Sequence, residues 1–303
     1  MGSSPPRGIL VVDKPAGPSS HAVVSWARKA LGIRKIGHAG TLDPAATGVL
    51  VLGVGAGTRL LGYLSGDDKE YLSTFVFGIG TTTDDAQGEV VATPGASVDG
   101  SAVSAAMQAW TGDIMQRPSA VSAIKVDGKR AYDLVRAGHE VELAARPVHI
   151  AAFDLLGLRG ESMDVPGVGP VAVSVADVRV VGSSGTYVRA LARDVAADLG
   201  TVGHVRDLRR VRSGAFGLDD AVAADALDSA HLVRLDHAAR RSLPWVEVGA
   251  DDVAPIRNGV QIAWPPDAPT ADAVALVHGD DLVALAQRRG DRARYLAVFP
   301  ADF

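Results

Sequence analysis

The chain has no cysteine. Disulfides and thiolate-bound metals are thereby excluded. The eight histidines show no ligand-like spacing such as His-x-x-x-His, so no metal is expected. Long apolar runs are missing too: none approaches the roughly 20 residues that a membrane helix needs. The N-terminus lacks the architecture of a signal peptide, because residues 1–7 are small, polar and proline-rich and the apolar residues 9–12 stop at Asp13-Lys14. No repeat of fixed period and no low-complexity tract occurs. With 47% hydrophobic and 21% charged residues, 303 residues can bury a substantial core, as one large domain or as a large and a small one. A cytoplasmic globular protein with no membrane partner is expected.

An excess of positive charge is the third absence. The formal charge is −5, which argues against a polyanionic partner only if it is spread evenly. It is not. Residues 1–60 carry a net of +5 and residues 182–214 a net of +3, while residues 215–303 carry a net of −6. The acidic total conceals two basic segments, and a polyanion responds to the local field.

Residues 9–12 read as a strand that runs into a turn ending in Ser19-Ser20, hydroxyls suited to cap a helix. The helix is predicted over about 20–31, with Val23, Val24, Ala27, Ala30 and Leu31 on one face and Gly32 as its stop. Residues 49–52 predict a buried strand, and residues 71–79 a strand rich in aromatic and branched side chains. Residues 101–111 suit a helix with Val103, Ala106, Met107 and Trp110 inward. Residues 171–181 form a long β-branched run, followed by a helix over about 187–199 whose core face is Val188, Leu191, Val195 and Leu199. Segment 116–148, with six bases against four acids and few core-sized residues, reads as an arm that orders on its partner. Past residue 240 the pattern turns β-rich: a hairpin over 274–285 and a strand over 295–299, after a loop around Trp264-Pro265-Pro266.

The densest chemistry lies in residues 37–48, Gly-His-Ala-Gly-Thr-Leu-Asp-Pro-Ala-Ala-Thr-Gly. Small and turn-forming residues crowd around one carboxylate, Asp43. Gly37, Gly40 and Gly48 permit backbone that a side chain would forbid, and Pro44 biases Asp43 toward extended conformations. A buried strand follows directly. The segment reads as a rigid loop that presents a single Asp.

Residues 37–44 resemble the central motif of the TruB-type tRNA pseudouridine synthases, in which the Asp is the catalytic nucleophile. Residues 184–191, Ser-Gly-Thr-Tyr-Val-Arg-Ala-Leu, are similar to the motif whose Arg pairs with that Asp, and Arg189 is the matching position. Lys69-Glu70-Tyr71 matches the segment that supplies the active-site Tyr. Further similarity lies in Asp13-Lys14-Pro15 with Ser19-Ser20, in residues 122–125 and in residues 208–214, so the resemblance spans roughly residues 7–216.

The resemblance implies an α+β fold with a mixed, mainly antiparallel sheet and flanking helices over residues 1–240, the insertion at about 116–148 gripping RNA. A small β-rich C-terminal domain would occupy residues 241–303. It implies catalytic roles for Asp43, Tyr71 and Arg189. Substrate-binding roles fall to Lys14, His38, Gly40, Thr41, Asp85, Lys125, Tyr187 and Leu208, with His38 entering the RNA. The implied partner is the T stem-loop of tRNA, met by a monomer without a cofactor or an obligate protein partner. Three positions depart from the family pattern: Thr82 stands where Asp is common although Asp85 keeps the downstream acid, Ser183 replaces a Cys, and Ser119 a second Pro.

Converting uridine to pseudouridine cuts the N1–C1′ bond, turns the uracil and rejoins it through C5. No redox or phosphoryl step is needed, and a carboxylate can attack either C6 of the ring or C1′ of the sugar. A guanidinium beside Asp43 would aim it and favour negative charge developing on the base. The base must be flipped out at a cost of a few kcal/mol, and stacking on Tyr71 would return about 1–3 kcal/mol. Its phenol is also a candidate for proton transfer. Two other motif matches are weak. Residues 51–58 resemble a dinucleotide-binding loop, but Thr58 stands where the third Gly belongs. Ser122-Ala123-Ile124-Lys125 fits Ser-x-x-Lys, yet Ser-Asp-Asn and Lys-Thr-Gly are both missing. The remaining alternative is a non-catalytic RNA-binding or RNA-folding protein on the same scaffold.

Overall fold

The computed structural model describes residues 6–119, 125–126, 129–130 and 143–301. Two compact units divide the chain. The first gathers Met1–Pro44, Gly48–Gly66 and Ser213–Phe303; the second holds Ala45–Thr47 and Asp67–Arg212.

In the first unit the apolar runs predicted as strands become Gly8–Lys14 and Thr47–Val54, paired antiparallel from Gly8 opposite Val54 to Lys14 opposite Gly48. Ile36–Ala39 pairs antiparallel with the same strand, and Val222–Ala223 runs parallel to Gly8–Lys14. The helix Ser20–Leu31 starts where Ser19 accepts the N–H of Ala22, and stops at Gly32 with φ 67°. Val23, Val24 and Ala27 are buried as expected, but Ala30 is exposed and Leu31 half-buried. The apolar stripe ends a turn early because the last turn carries Arg28 and Lys29 into solvent.

Gly53 and Gly57 owe their place to backbone packing. A Cβ on Gly57 would lie 2.1 Å from the Gly8 carbonyl oxygen, and one on Gly53 2.7 Å from that of Gly57. The glycine-rich run therefore continues a strand into the 3₁₀ turn Gly55–Arg59 and forms no phosphate loop.

The C-terminal residues form a four-stranded sheet in the order Trp245–Glu247, Val274–His278, Asp281–Arg289, Arg292–Val298. Two tight turns, Gly279-Asp280 and Gly290-Asp291, join its antiparallel strands, with their glycines at φ 55° and 65°. One face, through Ala275, Val277, Leu282 and Leu285, shares a core with Ile9, Val11, Val49 and Val51 and with the helix Leu235–Ser242. The other face is covered by Ile256 of the helix Ala250–Arg257 and by Trp264. The Pro-rich loop is thus a cover: Trp264 is buried, and its N–H donates to the Asp291 carbonyl at 2.7 Å.

In the second unit Gly203–Ser213, Lys69–Phe77, Gly169–Gly182, Arg146–Val165 and Gly112–Gln116 lie side by side in that order. The last three junctions are antiparallel. The strand expected over 71–79 ends at Phe77 because Gly78 turns at φ 109°, where a Cβ would meet the Ala96 nitrogen at 2.6 Å. The helix Gly100–Ala109, capped by Asp99, buries Val103 and Met107. Ala106 and Trp110 are only half-buried, and the Trp110 indole donates to Asp198 at 2.7 Å. The helix Val188–Asp198 buries Val188, Leu191 and Val195, while Leu199 is its half-buried C-cap.

The two ends of segment 116–148 belong to the sheet. Gln116 is buried at the end of its strand and pairs directly with Arg146. Residues 120–124, 127–128 and 131–142 of the expected arm lie outside the described residues; Lys125–Val126 and Lys129–Arg130 pair as a short antiparallel ladder. Among the described residues no helix is long and apolar enough to cross a membrane.

Candidate active site

The Asp43 loop is fixed from both sides by the turn that precedes the first helix. The Ser20 hydroxyl accepts the Leu42 N–H at 2.9 Å and donates to the Leu42 carbonyl at 3.0 Å. On the other flank the Pro44 carbonyl accepts from the Gly17 N–H at 2.8 Å and from the Lys14 ammonium at 3.0 Å. Both neighbours of Asp43 are therefore held through their backbones, which sets where its half-buried side chain starts. Gly40, at φ 88°, makes the bend that a Cβ would strain.

Lys14, expected among the substrate-binding residues, is fully buried and donates to the Pro15 and Pro44 carbonyls. It holds the loop. His38 stands on the strand Ile36–Ala39 with its ring edge-on to His21, centroids 5.2 Å apart, and Thr41 is exposed.

In the second unit Arg189 opens the helix Val188–Asp198 with only 6% of its side chain exposed. Its Nη1 donates to the Thr83 carbonyl at 2.8 Å and lies 3.3 Å from Asp85 Oδ2. Asp85 Oδ1 accepts from the Thr83 hydroxyl at 2.5 Å and from the Gln87 N–H at 3.0 Å. One turn on, Arg193 reaches Asp84 at 3.2 Å, Asp194 at 2.8 Å and the Arg117 carbonyl at 2.8 Å. Two arginines spaced i, i+4 thus grip two successive acids. The grip accounts for Asp84, at φ 57° the one non-glycine residue of positive φ among those described. Burial pushes the Asp194 carboxyl up, against the opposing pull of Arg193. Thr82, at the position of a family Asp, accepts the Glu89 N–H at 3.1 Å.

Tyr187 caps the same helix, and both of its backbone groups are satisfied by one buried amide. Gln116 Oε1 accepts the Tyr187 N–H at 2.7 Å and Gln116 Nε2 donates to its carbonyl at 3.0 Å. Tyr71, 8% exposed, stands opposite Val180, and Leu208 is half-buried on the neighbouring strand Gly203–Ser213. Beside Tyr71, burial pulls the Lys69 ammonium below its ordinary value, aided by Arg210. Glu70, held below the ordinary carboxylate value chiefly by Arg179, joins it at 2.6 Å and Arg212 at 3.1 Å. Lys125 lies in its two-residue strand, and its side chain is outside the described structure. The structure therefore brings together Arg189 with Asp85, and Lys14 with the Asp43 loop. Among the described residues no group of His, Asp or Glu is placed to hold a metal ion.

Residues 28–188 match the family described as TruB family pseudouridylate synthase, N-terminal domain, and residues 189–244 match the tRNA pseudouridylate synthase B C-terminal domain. The chain belongs to the TruB family. It is accordingly a pseudouridine synthase, an isomerase. A protein of Mycobacteroides abscessus called tRNA pseudouridine synthase B is 48% identical over 97% of this chain and 97% of its own. One of the same name from Cutibacterium acnes is 49% identical over 90% and 94%. Among solved structures, a Cbf5-Nop10-Gar1 complex aligns with TM-score 0.70 at 25% identity, over 96% of this chain and 84% of that one. An H/ACA RNP bound to a substrate RNA containing 2′-deoxyuridine gives TM-score 0.70 at 24% identity, over 97% and 85%. These likenesses establish the pseudouridine synthase fold of the TruB chain, with its small β-rich C-terminal sheet. That sheet lies past residue 244, beyond both family matches, and within the stretch the bacterial relatives share.

Proposed function

We propose that this TruB enzyme converts a uridine in the T arm of tRNA to pseudouridine, as a cytoplasmic monomer and without a cofactor. The relatives named tRNA pseudouridine synthase B support the tRNA part of this reading. The observation that carries the chemistry is the Asp43 loop, where both flanking residues are tied by their backbones to Ser20, Gly17 and Lys14. A carboxylate whose backbone is fixed before substrate arrives loses little freedom on attack.

In this reading the target uridine leaves its stack, and Tyr71 receives the base. Asp43 attacks the nucleoside at C6 of the ring or C1′ of the sugar, and the N1–C1′ bond breaks. The uracil turns and forms the C5–C1′ bond, and the bond to Asp43 breaks with return of its electron pair to the carboxylate; C5 gives up its proton and N1 gains one, so atoms and electrons balance with no oxidant or phosphoryl donor. Arg189 supplies positive charge for the electrons that gather on the base. Asp85 and the Thr83 carbonyl hold its guanidinium in one orientation. The phenol of Tyr71 is the candidate group for moving the C5 proton.

The test is tritium release from unmodified tRNA transcript labelled at uracil C5, without metal or cofactor, beside an Asp43→Asn control. Release by the unaltered enzyme alone is expected. Tight tRNA binding with no release would favour an RNA-folding protein on this scaffold.

A further inference from the structure

Between Asp13 and Asp43 the chain has no acidic residue, yet it carries Lys14, Arg28, Lys29, Arg34 and Lys35. Lys14 is consumed inside the loop clamp. The other four gather at the far end of the helix Ser20–Leu31. The Ile33 N–H donates to the Arg28 carbonyl at 3.2 Å, and the Arg28 guanidinium donates to the Ile36 carbonyl at 2.8 Å. These two bonds fold residues 33–36 back onto the last helical turn. Lys29, Arg34 and Lys35 are exposed there, and none forms an ion pair among the described residues.

Several arginines among the described residues behave differently. Arg159, Arg179, Arg193, Arg206, Arg212 and Arg241 each face a carboxylate within 3.3 Å. A helix C-terminus attracts cations in its last turn, which accounts for Arg28 and Lys29. It leaves Arg34 and Lys35, beyond the Gly32 cap, without a reason. On the same exposed side Trp26 keeps 41% of its surface in solvent, three residues before Lys29 and hence next to it on the helix. Uncompensated cations beside an exposed aromatic ring have the chemistry of a nucleic-acid backbone contact.

We propose that Lys29, Arg34 and Lys35, with Trp26 beside them, form an RNA-contact surface that grips phosphates of the substrate RNA away from the reacting uridine. This rests on the tRNA reading above. The helix begins at Ser20, bonded to Leu42 next to Asp43, and its 12 residues span about 18 Å, so the patch lies well beyond one nucleotide from the loop. It is a distance bridged by a stem. The contact is to charge and shape, since lysine and arginine on phosphates position a duplex without reading its sequence.

The test is the triple variant K29E/R34E/K35E in the full chain, compared with the unaltered enzyme on full-length tRNA transcript and on a minimal T-arm hairpin. All three side chains are exposed and bonded to no other side chain, so folding should survive. A K29Q/R34Q/K35Q variant gives the same direction with smaller size. On full-length tRNA the KM should rise about tenfold or more near 0.1 M salt with kcat within about twofold, and the slope of log Kd against log salt should flatten by about 2. On a hairpin too short to reach the patch the two enzymes should match.

Unchanged KM and salt slope on full-length tRNA would overturn the proposal and leave the patch to an acidic protein. An equal defect on the short hairpin would overturn its placement away from the reacting base. If the unaltered enzyme releases no tritium from tRNA while its binding still depends on the patch, the reaction assigned above falls and the contact surface stands.

Discussion

The Asp43 side and the Arg189 side of this enzyme are held by opposite means. Around Asp43 the partners are backbone groups, met by a hydroxyl, an amide N–H and one buried ammonium. Around Arg189 opposite charges take part as well: two guanidinium groups on one helix meet Asp84, Asp85 and the adjacent Asp194, beside the Thr83 and Arg117 carbonyls. On the Asp43 side the bonds to Ser20, Gly17 and Lys14 hold the backbone of its two neighbours, while on the Arg189 side the guanidinium itself is held. In the reaction proposed above, the group that forms and breaks a covalent bond is the one whose neighbours are tied down, and the group that supplies a field is the one gripped at its own head.

The comparison breaks most decisively at its two centres. Asp43→Asn should lower kcat by at least about 10³-fold with tRNA affinity retained, because a neutral amide cannot attack. Loss of binding to the same degree would mean that Asp43 serves affinity instead. Next in size is Arg189→Lys, which keeps the charge and forfeits the planar guanidinium whose Nη1 meets both the Thr83 carbonyl and Asp85. A fall in kcat of about 10²-fold is expected. Arg189→Met should also cost about 3 kcal/mol of stability, read from urea unfolding, since Asp85 loses its cation in a largely buried place.

Ser20→Ala tests the neutral side. Removing one hydroxyl orphans both the N–H and the carbonyl of Leu42, a cost of about 1–3 kcal/mol. The fall in kcat should be about tenfold with KM unchanged, and Ser20→Thr should recover most of it. A KM effect without a kcat effect would mean that the clamp shapes an RNA surface and leaves the nucleophile alone.

The same contrast governs what could be read from the amino-acid order. The Asp43 loop was legible because its geometry is written locally, in Gly40, Pro44 and the buried strand that follows. Ser20 was visible only as a hydroxyl near a helix start, since its partner lies 22 residues away. Ser19 does the capping and Ser20 holds the loop. Gln116 carried no local signal at all; as the first residue of a supposed arm it looked exposed, and only the fold brings it to Tyr187, 71 residues on. The 20-residue strand Arg146–Val165 escaped for another reason. Buried positions are few along it and separated by exposed and half-buried ones, register shifts break it near Ala152 and Gly157, and it so lacks the apolar run by which Gly169–Gly182 was found. The β-rich C-terminus was legible from its turns and apolar runs, although its first strand, Trp245–Glu247, has three residues and no pattern.

The smallest expected effect concerns pH, and it too should separate the two sides. His204 is buried, its Nδ1–H donating to the Ile79 carbonyl at 2.8 Å, and the next residue, Val205, is bonded to both Asp84 and Ala86 of the loop that seats Arg189. Burial pulls the imidazole below its ordinary value of 6.5; the Ile79 carbonyl, Asp85 and Asp84 oppose that pull and Arg206 adds to it. Between the lowered folded value and 6.5 the unfolded chain binds the additional proton, so stability rises with pH across that window and is lost as pH falls below 6.5. Glu70 and Asp220 respond in a separate, more acidic window. Their values are depressed by Arg179 and Arg241, so the stability they add is present above the ordinary carboxylate values and is lost as pH falls through the depressed ones. A melting temperature that begins to fall just below pH 6.5, and stays flatter there in His204→Asn, is the expected result. Amide exchange should open first at residues 81–87 and leave the Ser20-to-Leu42 clamp protected, because no titrating group takes part in its bonds. If both regions open together as the histidine charges, the two sides are one cooperative element and the division between a neutral and a charged clamp has no thermodynamic meaning.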